Sequence, residues 1–328
     1  MAYGQEKKFA LYSVAFYNME NLFDTIHDEG KNDYEYLPNG TNQWNTMKYK
    51  AKLKNMSEIL SMLSTDKLPM GPAIIGVSEI ENYRVLEDIL KQPALADRGY
   101  QYVHYEGADQ RGVDCAFFYN PKLFELTNSK LVPYVYINDT VHKTRGFLIA
   151  SGNIAGEKMH FIVNHWPSRA AASPARERAG EQVRAIKDSL LREDSAAKIV
   201  IMGDMNDDPM DKSMAVALGA KRKPADVGPT DLYNPWWDTL KKGYGTLMYK
   251  GKWNLFDQIV FTGNLLGTDR STLKFYKHEI FRRDFMFQKE GKYKGYPKRT
   301  QAGGVWLNGY SDHLPLSLIH ISEPTRPY

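Results

Sequence analysis

The sequence predicts a mixed α/β fold in which β-sheets are covered by helices, and three observations carry the prediction. Apolar or alternating runs rich in β-branched and aromatic residues recur along most of the chain. Several are joined by connections too short for a helical crossover, so antiparallel neighbours must be mixed into the sheets. Helical patterns fill some of the longer gaps, as sheets that need covering require.

Taken in order, Phe9 to Phe16 reads as the first strand. Tyr49, Leu53, Met56, Leu60 and Leu63 then fall at three-to-four spacing, the stripe of a helix that buries one face. Ala73 to Val77 is a second strand, and a helix starts near Tyr83. Strand patterns follow at Tyr100 to Tyr105, Val113 to Tyr119, Leu131 to Ile137, Phe147 to Ile154 and Met159 to Val163. Ser173 as N-cap and Pro174 in the first turn open a helix that reaches about Leu191. Lys198 to Met202 and Asp257 to Thr262 are the last clear strands. Between them, Ala220 to Gly251, with its prolines and Trp236-Trp237, reads as a surface excursion that shapes a groove or rim. Lys274 to Arg299 is rich in Lys, Arg and Tyr without a period. It suits a solvated loop or hairpin, or an electrostatic platform for a phosphate backbone.

With 328 residues, 42% of them hydrophobic, the chain can bury one large core or two moderate ones. No linker or fixed-period repeat divides it, so a single domain over residues 9–315 is expected. The lone Cys115 sits inside an apolar run and excludes an internal disulfide. A net charge of +4 permits polyanionic partners without demanding them. No run approaches the ~20 apolar residues that span a bilayer. Residues 1–8 are small, polar and unpatterned, and are expected to be disordered. If they are what remains beyond a lost leader, a periplasmic or secreted protein follows. Leu316 to Arg326 resembles the translation of a transposon-derived sequencing adapter, so residues 316–328 are expected to be a non-native tail whose start happens to look strand-like. A monomer is expected, and no protein partner can be inferred.

Polar clusters close or open many of the strands, where a rigid sheet presents loops to solvent. Ile199-Val200-Ile201-Met202-Gly203-Asp204-Met205-Asn206 ends a buried strand in a carboxylate and an amide two residues apart, able to face one ligand, although an Asp/Asn turn explains it equally well. His313, in Ser311-Asp312-His313, is a proton shuttle or a surface histidine. Its neighbour Asp312 points elsewhere in extended chain, so Asp257 is the candidate that orients it. Glu79, at the end of Gly76-Val77-Ser78-Glu79, is costly to bury unless paired or metal-bound, which suggests a ligand for a Mg2+-like ion. Glu81 and Asn82 are explained more cheaply by capping. Asn18 closes the first strand as a fixer of carboxylate or phosphate. Asn164-His165-Trp166-Pro167-Ser168-Arg169 offers a histidine and an arginine, the latter either a phosphate grip or a salt bridge to the next helix. Arg111 is a weaker anion-binding candidate.

Tyr17-Asn18, Ser78-Glu79, Asn164-His165, Gly203-Asp204-Met205-Asn206, Asp257-Gln258-Ile259-Val260 and Ser311-Asp312-His313 occur in an order that resembles the endonuclease/exonuclease/phosphatase superfamily, the deoxyribonuclease I-like fold. Each match alone is weak; the ordered set is specific. The resemblance implies a four-layered α/β sandwich, two mixed β-sheets packed face to face and flanked by helices, and metal-dependent cleavage of phosphoesters. It implies that Glu79, with Asp312 and Asn18, holds or positions Mg2+, with Mn2+ as a substitute. His313 paired with Asp257 would activate water or stabilise the transition state, with Asp204 as the competing base. Asn206 and His165 would neutralise phosphoryl oxygens, and Arg111 and Arg169 would add to phosphate binding. The Asn164-His165-Trp166-Pro167 loop and Trp236-Trp237 match no particular subfamily. The leading expectation is an endonuclease on DNA with little sequence preference. The alternatives are a phosphodiesterase or phosphatase on a small-molecule or lipid headgroup phosphoester and, from another class, a non-catalytic binding protein.

Overall fold

The computed structural model describes residues 9–323 except Asn138 and Thr140; the segments 1–8 and 324–328, expected to be a disordered start and part of an appended tail, lie outside the described residues. In chain order the elements are β1 Ala10–Leu22, α1 Thr46–Met62, β2 Ile74–Ile80, α2 Tyr83–Leu90, β3 Gln101–His104, β4 Asp114–Tyr119, β5 Glu125–Val132, β6 Phe147–Ile154, β7 Glu157–His165 and α3 Ser173–Glu193. There follow β8 Lys198–Asp204, β9 Ala220–Lys221, β10 Leu232–Tyr233, α4 Trp237–Lys241, β11 Leu247–Tyr249, β12 Lys252–Asn254, β13 Asp257–Thr262, β14 Lys274–Ile280, β15 Gln301–Ala302, β16 Val305–Trp306 and β17 Leu316–Ser322.

Two large mixed sheets result, a six-stranded one in the order β14-β17-β1-β2-β4-β3 and a seven-stranded one in the order β5-β6-β7-β8-β13-β10-β9. Alternation along each strand sorts the side chains into layers. From β1, Val14 and Phe16 join Phe161, Val163, Val200, Met202 and Ile259 of the other sheet in a core between the sheets. Ala15, Tyr17 and Met19 face the opposite way, onto α1 and α2. Ile199 and Ile201 of β8 likewise turn outward, onto Ala179 and Val183 of α3. Helices, sheet, sheet and helix therefore make the four layers that the sequence predicts. The sheets pack tightly at Gly76, where a Cβ would lie 2.6 Å from the Met202 sulfur.

Several local expectations change. The strand expected at Leu131 to Ile137 is shifted to Glu125–Val132, because Pro133 supplies no N–H to a ladder and Tyr134 turns away to donate its hydroxyl to the Ala175 carbonyl of α3. Ser173 is not the cap of α3; its hydroxyl bonds Glu177, and Ala172 holds the cap position without a side-chain bond. Asn82 does cap α2, accepting from Arg84 and Val85 N–H, and Asn45 caps α1. Trp236 is not rim but core, fully buried with its indole N–H on the Ile259 carbonyl at 2.8 Å. The start of the basic stretch is β14, the sheet-edge strand, whose half-buried faces hide any alternation in its charged sequence. Leu316–Ser322, the start of the stretch expected to be a tail, runs antiparallel between β1 and β14 with Leu316 and Leu318 in the core, so the fold continues past Pro315.

Candidate active site

The inward stripe of each central strand is apolar until its end and polar there. On β8 the inward series runs Val200, Met202, Asp204; on β7 it runs Phe161, Val163, His165; on β13 it runs back from Phe261 and Ile259 to Asp257. Asp204 is the register partner of His165 on one side and of Asp257 on the other, so three neighbouring strands place their chemistry in one row. Gly203 permits this closeness: a Cβ there would lie 2.3 Å from the Asn164 carbonyl oxygen. From the facing sheet Asn18 ends the inward stripe of β1. Its amide nitrogen donates to Asp204 Oδ2 at 3.0 Å and to Glu79 Oε1 at 3.3 Å.

Glu79 arrives by a different device. It sits in left-handed backbone, φ 58°, at an irregularity in the pairing of β2 with β4, a bulge that turns its side chain toward the opposite sheet. Asn21 N–H then fixes its other oxygen at 2.9 Å. His165 Nε2 lies 3.6 Å from Glu79 Oε1 and 3.7 Å from Asp204 Oδ2. His313 Nδ1 is 2.7 Å from Asp257 Oδ2, the pairing the sequence suggests, and its Nε2 points at Asp204 from 3.9 Å.

The electrostatics follow from burial. Burial first, then the Asp257 and Glu79 charges, push Asp204 up to about 7 against the opposing pull of His313. His313 is held well above the usual histidine value: burial opposes its charge, but Asp257, Asp204 and Asp312 outweigh it. His165 lies well below that value, because burial and then Arg145, Arg111 and His313 all oppose a second proton. Its Nδ1 has no partner among the described residues.

The other expected residues divide. Asp312 is at the rim, 3.9 Å from His313 Nε2 and paired to Arg299 at 3.0 Å. Asn206 takes Asp204 Oδ1 on its backbone N–H at 2.9 Å and gives its side-chain amide to the Trp166 carbonyl at 3.0 Å. Arg111 is half-exposed beside Asp109, close enough to act on His165. Arg169, expected as a phosphate grip or a salt bridge, is ion-paired with Asp207, Asp208 and Asp211 and packs over the Phe256 ring. Asn18, expected to fix a carboxylate or phosphate and to position the ion, spends its oxygen on the Glu20 N–H and donates to the Glu79 and Asp204 carboxylates. Glu81 does not join them; it is buried on the Asp24 N–H.

Sequence reading missed a supporting chain of charge. Glu20, in left-handed backbone just past Asn18, accepts from Arg299 Nε at 2.8 Å, and Arg299 reaches on to Asp312. Lys52 of α1, fully buried, bonds Thr300 and the Tyr310 carbonyl behind them. A lysine within the apolar stripe of that helix was its one visible signal. Arg145 was missed as well; it spans Asp109 and the Trp166 carbonyl.

The donor set fits a divalent cation. Glu79, His165 and Asp204 present ligand atoms within 4.8 Å of one another, as do Asp204, Asp257 and His313. A surplus of buried carboxylate that lifts Asp204 is the deficit a cation makes good. In the first group the Glu79 and Asp204 oxygens and the His165 nitrogen are the atoms that would hold such an ion.

The comparisons with known proteins agree with this fold. No curated protein matches the sequence. Among solved structures, an endonuclease/exonuclease/phosphatase family protein from Bacteroides thetaiotaomicron superposes with a TM-score of 0.59 at 14% identity, covering 98% of this chain and 100% of its own. A mannosyl-6-phosphatase from the same organism gives 0.57 at 14% identity over 94% and 98%. TDP2 of D. rerio, complexed with a single-strand DNA product, gives 0.54 at 14% identity over 95% and 99%. The sequence model of the Endonuclease/Exonuclease/phosphatase family matches residues 13–322, and the chain belongs to that family of phosphoester hydrolases.

Proposed function

We propose that the protein hydrolyses a phosphoester with the help of a divalent cation held chiefly by Glu79, with Asp312 at the rim. The observation that carries the reading is the meeting of Asn18, Glu79, His165, Asp204, Asp257 and His313 from both sheets at one strand-end row. When bound, the cation supplies positive charge to a phosphoryl oxygen and acidifies water. The chain's own groups do the rest. Asp204, fixed by Asn206 N–H and the Asn18 amide, accepts the proton of the attacking water. His313, oriented by Asp257, directs its Nε2–H at the charge that grows on the phosphoryl oxygens. His165 gives a neutral hydrogen bond from the adjacent strand.

Substrate size is a finer matter. Of the two readings of Lys274 to Arg299, loop or polyanion platform, the side-chain pairings disfavour the platform. Lys274 bonds the Asn264 carbonyl, Lys277 pairs with Glu279, Arg282 stacks on Trp253 and Phe287, and Arg283 pairs with Asp66. That supports a small phosphoester over duplex DNA. A nucleic-acid substrate keeps one support, the exposed Lys289, Lys292 and Lys294 beside the site, together with the DNA product bound by one structural relative.

The test is turnover of a phosphoester panel that includes plasmid, with and without chelator. EDTA should abolish hydrolysis, and Mg2+ or Mn2+ should restore it. Undiminished cleavage in EDTA overturns the cation, and inertness toward the whole panel with either metal overturns the hydrolase.

A further inference from the structure

Beside the catalytic row, with Asp312 on its lining, lies a cavity of about 1050 Å3 walled by short hairpins and loops rather than by the two large sheets. Its floor is Glu20, Arg299 and Asp312, the charge chain beside His313. One wall is the β11–β12 hairpin, tied to the centre because Leu247 bridges to His313 itself. The facing wall is the segment 288–297, fastened to the hairpin by the Tyr296 hydroxyl, which accepts the Gly251 N–H at 2.6 Å.

Its charge balance opposes a polyanion. The lining cations are Lys250, Lys292 and Arg299. Arg299 is already bonded to Glu20 and Asp312, while Lys250 lies over the Tyr249 ring at 5.3 Å and Lys292 over Tyr293 at 5.6 Å. Glu35 and Glu290 line the same space, so carboxylates outnumber cations. A phosphodiester backbone offers only acceptors and negative charge, and would meet its like.

A polyhydroxylated ring has the opposite requirements. Its hydroxyls donate, and carboxylates and amides such as those of Asn42 and Gln301 accept. Its C–H faces pack on aromatic rings, and Tyr249 and Tyr293 stand 62% and 52% exposed on the two walls. The volume is at the upper end of small-ligand sites, about 300–1,000 Å3, which leaves room for more than one sugar ring.

We propose that this cavity binds the saccharide part of a sugar phosphate, and that the enzyme removes the phosphate from it. The inference rests on the hydrolase reading above and deepens it. A water oxygen bonds to phosphorus, the bond between phosphorus and the sugar oxygen breaks, and that oxygen takes up a proton; the products are inorganic phosphate and free sugar.

The test compares kcat/KM for glucose, mannose and galactose 6-phosphates with that for n-propyl phosphate in the Mg2+-loaded full chain. At least one sugar phosphate should lead by about tenfold or more, a differential transition-state contact of about 1.4 kcal/mol. Tyr293→Ala should collapse that ratio and Tyr293→Phe should keep it. Hydrolysis of propyl phosphate with no sugar preference overturns the cavity proposal and leaves the hydrolase intact, as does faster cleavage of plasmid than of any sugar phosphate. Calorimetric titration of the His313→Ala variant with the same sugar phosphates separates the two claims. Binding there, with an inert wild type, sustains the cavity and overturns the hydrolase; absence of binding counts against the cavity.

Discussion

Two buried histidines share one centre and are prepared in opposite ways. His313 is clamped by Asp257 at 2.7 Å and faces Asp204 and Asp312, and this company keeps its proton on. His165, one strand from Asp204, has an orphaned Nδ1 and two arginines in its field, and is kept neutral. Residue type did not decide this. The charges around each buried ring did: carboxylates face His313, whereas burial and then two arginines act against a second proton on His165, whose Nδ1 has no partner among the described residues. A charged imidazole suits developing anionic charge, whereas a neutral one suits orienting a phosphoryl oxygen or completing a metal's ligands.

The comparison breaks first on activity. His313→Ala should lower kcat/KM on a Mg2+-saturated phosphodiester such as bis-p-nitrophenyl phosphate by about 10²–10⁴-fold. Asp257→Asn should fall in the same direction by releasing the clamp. His165→Ala should lose less, about tenfold, the scale of one neutral hydrogen bond of about 1.4 kcal/mol. Equal losses at the two histidines would mean that their different environments are without catalytic consequence.

Much of this centre was legible because strand alternation is a strong signal. Asp204 and His165 continue an apolar series by one step of two, so a polar residue there can only face the same way at the sheet's end. Mixed sheets covered by helices were legible for the same reason, while the four-layered sandwich followed from the family resemblance. What stayed hidden depends on backbone that breaks the period or on charge pairs distant in sequence. Glu79 was marked by the cost of burying it rather than by alternation; it lies out of step with Ile74 and Gly76, and the left-handed residue in a bulge that corrects its aim is what no pattern shows. Arg169 was open between a phosphate grip and a salt bridge, because nothing in its own loop showed that Asp207, Asp208 and Asp211 would fold against it. The excursion read as shaping a groove or rim does supply one cavity wall at Leu247 to Lys250, but the hairpins themselves were dark to pattern reading, since strands of two or three residues such as those of β15–β16 and β11–β12 carry no periodicity.

The comparison sharpens on stability, where the two histidines have opposite signs. His313 is raised above its usual 6.5, so its contribution is whole below pH 6.5 and is lost as pH climbs through its folded value. His165 is lowered, so its contribution is present above pH 6.5 and is lost as pH falls toward its folded value, because the unfolded chain takes up a proton that the native state refuses. Melting temperatures of metal-free protein across this range should show it. His165→Gln should flatten the decline on the acid side, and His313→Gln the decline on the alkaline side. If both variants keep the wild-type profile, neither group is tuned as the geometry requires.

The smallest expected effect isolates the field on His165. Arg145 acts on it most strongly among the charges but is buried between Asp109 and the Trp166 carbonyl, so replacing it would disturb the loop as well. Arg111 acts from a half-exposed position, where solvent screens it and its removal is structurally cheap. Arg111→Ala should therefore raise the titration of the His165 ring, followed by NMR of metal-free protein, by less than about one pH unit. His313, farther along the row and dominated by Asp257, should hold its position. A shift at His313 equal to that at His165 would show that the arginine acts on the whole cavity, and the contrast between the two histidines would then rest on their bonded partners alone.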